Sequence, residues 1–273
     1  ILFFLLFIIG TLTFRDYGIG IDDKFHRLNG FYWLDYLLSF TDFNGLKDLV
    51  KIKLSQISDI SLPSTIEYNK YSIIFDVPAA ILELALKLDN PKEFYEIRHY
   101  LNFLFYFIGC IYFYRLLSLR FNRLISFFGC VLFILTPRIY GESFYNMKDI
   151  VFLTFLIMGY FYSFRCFLTY DIRNLVILSF ISAICIQTRI IGLALPLSFI
   201  FFYLLSILSK KSDLKYFSKI ALYSIATFLF LIAIWPYLWS SPIKNFLAVI
   251  NNWSPSIHIF FNGNYIQNNF LPF

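Results

Sequence analysis

Two acids stand side by side at Asp22-Asp23, eight residues beyond an apolar run that ends at Phe14, in the stretch Gly20-Ile21-Asp22-Asp23-Lys24-Phe25-His26. A carboxylate near a membrane surface can take a proton from an attacking hydroxyl or amine. A like-charged neighbour makes a carboxylate a better base. His26 lies about one helical turn further on. It could orient a carboxylate, hold a metal with it, or simply hydrogen-bond in the loop. A second polar knot runs from Pro137 through Arg138, Glu142, Asn146 and Lys148 to Asp149. An acid in the first turn of a helix complements the helix dipole, which accounts for Asp149 alone. It does not account for the crowding of Arg138, Glu142, Asn146 and Lys148 into the same short loop. A site that needs an acid and hydrogen-bond donors together has this composition. Arg98-His99, at the start of a further apolar run, and Arg189, in Gln187-Thr188-Arg189-Ile190-Ile191-Gly192, supply guanidiniums. Arginine holds phosphate in a planar, bidentate manner and keeps its charge in a low-dielectric place. Two outward arginines at headgroup depth suit a phosphate or pyrophosphate at the bilayer surface. Snorkelling to phospholipid accounts for either one singly. Together these groups suggest chemistry on a lipid-linked substrate.

The elements that must position them are membrane helices. The 273 residues are 59% hydrophobic and only 15% charged, with 36 Phe and 20 Tyr. Mean hydropathy is +0.68. A soluble domain carries about a quarter charged residues. Apolar runs at 1–14, 99–119, 124–136, 150–168, 172–188, 190–208 and 216–236 approach or exceed the ~20 residues that cross a bilayer. The fold class is therefore an all-α polytopic membrane protein, and no short alternating segments of a β-barrel are evident. The net charge of +6 follows from basic residues at cytoplasmic helix ends and implies no nucleic-acid partner. Cys110, Cys130, Cys166 and Cys185 all fall in apolar runs, so they read as buried free thiols with neither disulfide nor metal spacing.

Charge bias orients the spans. Arg115, Arg120 and Arg123 surround one short loop, Arg165 and Arg173 flank another, and Lys210, Lys211, Lys215 and Lys219 cluster at a third. With all three in the cytoplasm, 15–98, 137–149, the Thr188–Arg189 turn and 237–273 lie outside. The apolar stretch 73–88 must then not cross, since a crossing would invert every later loop. It holds Asp76, Glu83 and Pro78 and reads as a helix at the outer interface or dipping into the protein. Residues 31–40 read as a second interfacial helix and 243–250 as a third. Residues 41–71 read as a polar loop, and Tyr237-Leu238-Trp239 as an interfacial aromatic belt. Asn252-Trp253-Ser254 matches the N-glycosylation pattern, a frequent chance match. The start at Ile1 in mid-helix, without a Met, reads as the N-terminal fragment of a longer chain. Residues 1–273 then form a single transmembrane catalytic module, with 15–98 as its first outer loop. The richness in Phe, Ile, Lys and Asn suggests a bacterial genome and an inner-membrane location.

In this order of parts the chain resembles the GT-C membrane glycosyltransferases, in particular the family 39 type, which includes protein O-mannosyltransferases and aminoarabinose transferases. Asp22-Asp23 stands where those enzymes carry an Asp-Glu-type pair in the first outer loop, with Asp in place of the usual Glu. Asp149 matches their acid in the next outer loop. Arg98 matches their arginine at the outer start of the second true span. Thr188-Arg189-Ile190-Ile191-Gly192 matches their Thr-Lys/Arg-x-x-Gly-like turn. The resemblance implies a GT-C-like helical bundle with interfacial helices in the first outer loop. It also implies transfer of a sugar, with inversion, from a polyprenyl-phosphate donor to a lipid, glycan or protein acceptor at the non-cytoplasmic face. Asp22 would be the general base, with Asp23 and Asp149 orienting the acceptor or the base. Arg98 and Arg189 would hold the phosphate, with His26, Glu142, Asn146 and Lys148 completing the substrate site. Asp22, Asp23, His26 and Glu142 could supply ligands to a divalent metal, but their spacing matches no strong pattern, and no cofactor is assigned. A polyprenyl-linked glycan flippase or a secondary transporter is the competing reading. It requires charges at the membrane midplane.

Overall fold

The computed structural model describes residues 1–20, 22–57, 72–169, 171–210, 215–251, 258–261 and 264–267. Its helices are α1 (Leu2–Thr13), α2 (Asp23–Leu38), α3 (Asn44–Ile57), α4 (Asp76–Ala85), α5 (Pro91–Leu117), α6 (Arg123–Ile134), α7 (Pro137–Tyr145), α8 (Met147–Thr169), α9 (Ile172–Thr188), α10 (Ala194–Lys210), α11 (Lys215–Ile234) and α12 (Pro242–Asn251). Short 3-10 turns occupy Phe14–Asp16, Ile190–Leu193 and Pro236–Leu238.

The long helices start where local chemistry tells them to. Asn90 caps α5 by accepting from the Lys92 amide, Pro91 occupies its first position, Glu93 sits in its first turn and Arg115 in its last. Asn122 caps α6 and Asp171 caps α9 in the same way. Two helices, α5 with 27 residues and α8 with 23, are long and apolar enough to cross a bilayer. At ~1.5 Å per residue they run about 40 and 35 Å, against a hydrocarbon core of about 30 Å. The pair α6 and α7, bent by 60° where Pro137 interrupts the hydrogen-bond ladder, is a third candidate. The runs expected at 172–188, 190–208 and 216–236 appear as shorter apolar helices.

The bundle centres on α5, α8, α9 and α11, packed in that sequence. Gly109 lets α5 approach Thr154 of α8, whose hydroxyl donates to the Phe105 carbonyl at 2.9 Å. Large apolar side chains such as Phe4, Leu12, Leu124, Phe128, Leu132, Leu197, Phe201, Ile225 and Leu229 point outward. Water would penalise so large an exposed apolar surface, whereas lipid suits it. Beside the bundle, α2, α3 and α4 form a small assembly with its own core of Leu28, Phe31, Trp33, Leu34, Val50, Val77 and Ala80.

Several expectations need correction. Residues 31–40 are not a separate interfacial helix; α2 runs unbroken from Asp23, so both Asp23 and His26 are helical. The expected polar loop 41–71 contains α3, whose Val50, Lys53 and Ile57 are buried; residues 58–71 lie outside the described residues. The second polar knot is the helix α7 rather than a loop. The fold is helical as expected, with one short addition near the end, where β1 (His258–Phe261) and β2 (Asn264–Gln267) pair antiparallel, His258 opposite Gln267. The Asn252 glycosylation pattern falls outside the described residues.

Candidate active site

A cleft of about 180 Å³ opens where the start of α2, the α7–α8 junction and the turn after α9 meet. It gathers Asp22, His26, Asn146, Lys148, Asp149 and Arg189. Three segments distant in sequence thus bring parts of both polar knots and the arginine turn to one place.

Local structure explains each position. Asp22 precedes the first turn of α2, and its carbonyl accepts from the His26 amide at 2.9 Å. Asp23, the next residue, turns the other way. It is fully buried, accepts from the Gly20 amide at 2.8 Å and lies 3.3 Å from His99 Nε2. Asp22 therefore borders the cleft, and Asp23 ties the loop behind it to α5. At the second knot, Asn146 organises the start of α8. Its Oδ1 accepts from the Asp149 amide at 3.0 Å, and its Nδ2 donates to Asp149 at 3.1 Å and to Glu142 at 2.9 Å. Glu142 also accepts from Arg138 Nε at 2.9 Å and stands outside the cleft lining, as a brace. Arg189 leaves α9 in an extended conformation and pairs with the Asp149 carboxylate. Its backbone is fixed at both ends: its amide donates to Cys185 at 3.0 Å, and its carbonyl accepts from Gly192 at 2.7 Å. A Cβ on Gly192 would run into the Cys185 carbonyl, so this tight turn requires glycine.

His26 is held from behind. Its Nδ1 lies 3.0 and 3.1 Å from the two Asp76 oxygens. Asn29 Nδ2 donates to Asp76 at 2.6 Å and to the Ser72 carbonyl at 3.0 Å. Gly30 permits this contact, because a Cβ there would occupy the space of the Asp76 carbonyl. Burial disfavours the imidazolium, but the charge and hydrogen bond of Asp76, aided by Asp22, more than offset burial and the opposing Lys148. The net effect raises the His26 pKa.

Arg98 is elsewhere. It was expected outward at headgroup depth, yet it is fully buried, 3.7 Å from Glu83. All three of its guanidinium nitrogens lack hydrogen-bond partners. Glu83 accepts from Arg27 at 3.1, 3.0 and 2.5 Å, and Lys53 approaches it to 3.9 Å. Arg98, Asp23 and Glu142 thus stand behind the site rather than in it. Among the described residues, no three His, Cys, Asp or Glu side chains converge as a metal site. The foursome Asp22, Asp23, His26 and Glu142 divides, with only Asp22 and His26 on the cleft.

Asp76, Glu83 and Asn29 were not recognised as part of the site from the sequence. A signal existed: Asp76 and Glu83 are seven residues apart, two turns along one helix face. Their partners His26 and Arg27 are adjacent. In comparisons with known proteins, no family model, no curated protein and no solved structure matches the chain.

Proposed function

We propose that this protein is a membrane glycosyltransferase that moves a sugar from a polyprenyl-phosphate donor to a hydroxyl or amine acceptor at the non-cytoplasmic face. The observation that supports the reading is the convergence of two carboxylates, an imidazole and two cationic side chains on one cleft beside apolar helices. At about 180 Å³ the cleft is smaller than the 300–1,000 Å³ of a typical drug-sized site. It suits a sugar and its phosphate, with the isoprenoid tail lying outside along lipid-facing helix surfaces.

Asp22 takes the proton of the acceptor as its oxygen or nitrogen attacks the anomeric carbon from the face opposite the phosphate. The phosphate departs with the bonding electron pair, and inversion results. Charge developing on its oxygens is met by Arg189 and Lys148, fixed in advance and partly screened from water. Asp149 aims Arg189 and is in turn aimed by Asn146. Arg98 has no part in donor binding in this reading; it and Glu83 fix α4 and α5 relative to α2.

The transporter alternative draws on buried charge. The buried ion pairs here join α2, α4 and the second turn of α5, about 10 Å from the start of that helix rather than at its middle. The testing variant is Asp22→Asn in purified, lipid-reconstituted protein supplied with a panel of polyprenyl-phosphate sugars. Its turnover should fall by 100-fold or more, with donor binding retained. Equal turnover in the variant would remove Asp22 from the chemistry.

A further inference from the structure

We infer that His26 and Asp76 form a proton-donating dyad for the departing phosphate, an inference that rests on the transferase reading above. The geometry is that of a held imidazole. Both oxygens of Asp76 face Nδ1, at 3.0 and 3.1 Å. Asn29, itself anchored to the Ser72 carbonyl, fixes the carboxylate from the other side. This fixes Nδ1 as the nitrogen directed at Asp76. The hydrogen bonds of the ring to Asp76 all run through Nδ1, which leaves Nε2 as the nitrogen for the cleft that His26 lines. The groups acting on the ring are Asp76 from α4, Asp22 from the start of its own helix and Lys148 from α8. Arg98 of α5 acts on Asp76 in turn. Burial works against the charged ring, but the two acids outweigh burial and the one nearby lysine and raise its pKa, which favours the imidazolium, the form that can donate.

The step balances without a further reactant. The acceptor proton passes to Asp22 as the new bond to the anomeric carbon forms. The bond between the anomeric carbon and the phosphate oxygen breaks, and its electron pair stays on that oxygen. That oxygen receives the proton of His26 Nε2, so the product leaves as a hydrogen phosphate monoester. Asp22 is then protonated and His26 neutral. Transfer of one proton from Asp22 to His26 across the cleft restores both. Asp76 acts through His26 and is a positioning residue.

The test uses the full chain in detergent micelles, with histidine labelled at ring carbon ε1. The chain has three histidines, and the resonance missing from His26→Gln identifies the ring. That resonance should titrate above the usual value of about 6.5, move back toward it in Asp76→Asn, and shift when a polyprenyl phosphate is added. With a sugar donor that wild type turns over, His26→Gln should lose about 100-fold in kcat with little change in KM. It should also lose the alkaline limb of the pH profile. A wild-type His26 resonance unmoved by polyprenyl phosphate would overturn the dyad. Unchanged kcat in a folded His26→Gln protein would overturn it too, while leaving the transferase reading intact. If the resonance shifts but wild type turns over no donor, the transferase reading fails and the proton step falls with it.

Discussion

Replacing Glu83 with Gln should be the most damaging single-atom change in the protein. The carboxylate is fully buried and is the only acid within 4.0 Å of either Arg27 or Arg98 among the described residues. It accepts three hydrogen bonds from Arg27, and Arg98 and Lys53 stand at 3.7 and 3.9 Å. Near an effective dielectric of 20, each charge pair at that separation is worth about 4 kcal/mol before desolvation is counted. Removing one partner of a buried pair costs about 3–5 kcal/mol net, because Arg27 stays buried without its carboxylate, while Lys53 keeps Asp89 and Arg98 keeps the field of Asp76. At about 2–4 °C per kcal/mol for a chain of this size, the unfolding midpoint should fall by ~6–20 °C. The four buried thiols, Cys110, Cys130, Cys166 and Cys185, make a built-in assay: a thiol-reactive fluorogenic dye in mild detergent reports their exposure on heating. Arg138→Gln is the control. Its pair with Glu142 is an i,i+4 contact in which the arginine side chain is 87% exposed, a contribution of about 0.5 kcal/mol at most. Adding Arg98→Met to Glu83→Gln should restore part of the loss, since it removes one buried cation whose nearest carboxylate has gone. A Glu83→Gln midpoint no lower than that of Arg138→Gln would refute the reasoning. It would mean that the cations find water or other anions, and that Glu83 does not tie α4 to α2 and α5.

Three other outcomes follow from the geometry. Gly30→Ala drives a methyl group toward the Asp76 carbonyl and should lower stability by about 1–3 kcal/mol in the same dye assay; an unchanged midpoint would show that α4 can move aside freely. Asp149→Asn breaks an ion pair whose side chains are 41% and 37% exposed, so stability should change by less than about 1 kcal/mol while turnover falls at least tenfold; proportionate losses of both would assign Asp149 to the fold. The third is a pH dependence. Because Asp76 raises the His26 pKa in the folded state, the imidazolium's stabilisation is fully present below the unfolded value of about 6.5 and disappears as pH rises through the higher folded value. The unfolding midpoint of wild type should therefore fall across that interval relative to His26→Gln, and parallel curves would contradict it.

How much of this was legible in the residues depends on what faces what. The runs that became α5, α8 and α9 were visible because lipid and core both select apolar side chains, so nearly every position carries the signal. The bend at Pro137 and the tight turn at Arg189 were visible because Pro, Gly and a charge interrupt such runs. Helix α2 was harder. Its first turns, Asp23-Lys24-Phe25-His26-Arg27, place acids and bases inward, so the usual apolar periodicity is replaced by a polar one whose partners lie fifty residues on. Arg98 was misplaced for the same reason. At the start of an apolar run a charge reads as facing headgroups, and only the fold brings Glu83 to it. Asp22 and Asp23 illustrate a finer limit. Adjacent residues of identical type diverge completely, one lining the cleft and one fully buried against His99, because a helix start turns successive side chains about 100° apart.

The central claim is that the cleft transfers a glycosyl group from a lipid phosphate. Incubating the reconstituted chain with each of a set of radiolabelled polyprenyl-phosphate sugars, and counting label that leaves the donor, asks this without intermediaries. Label should move from at least one donor, with release of one polyprenyl phosphate per sugar transferred and inversion at the anomeric carbon. Donors that all keep their label in the presence of lipid, glycan and peptide acceptors would contradict it.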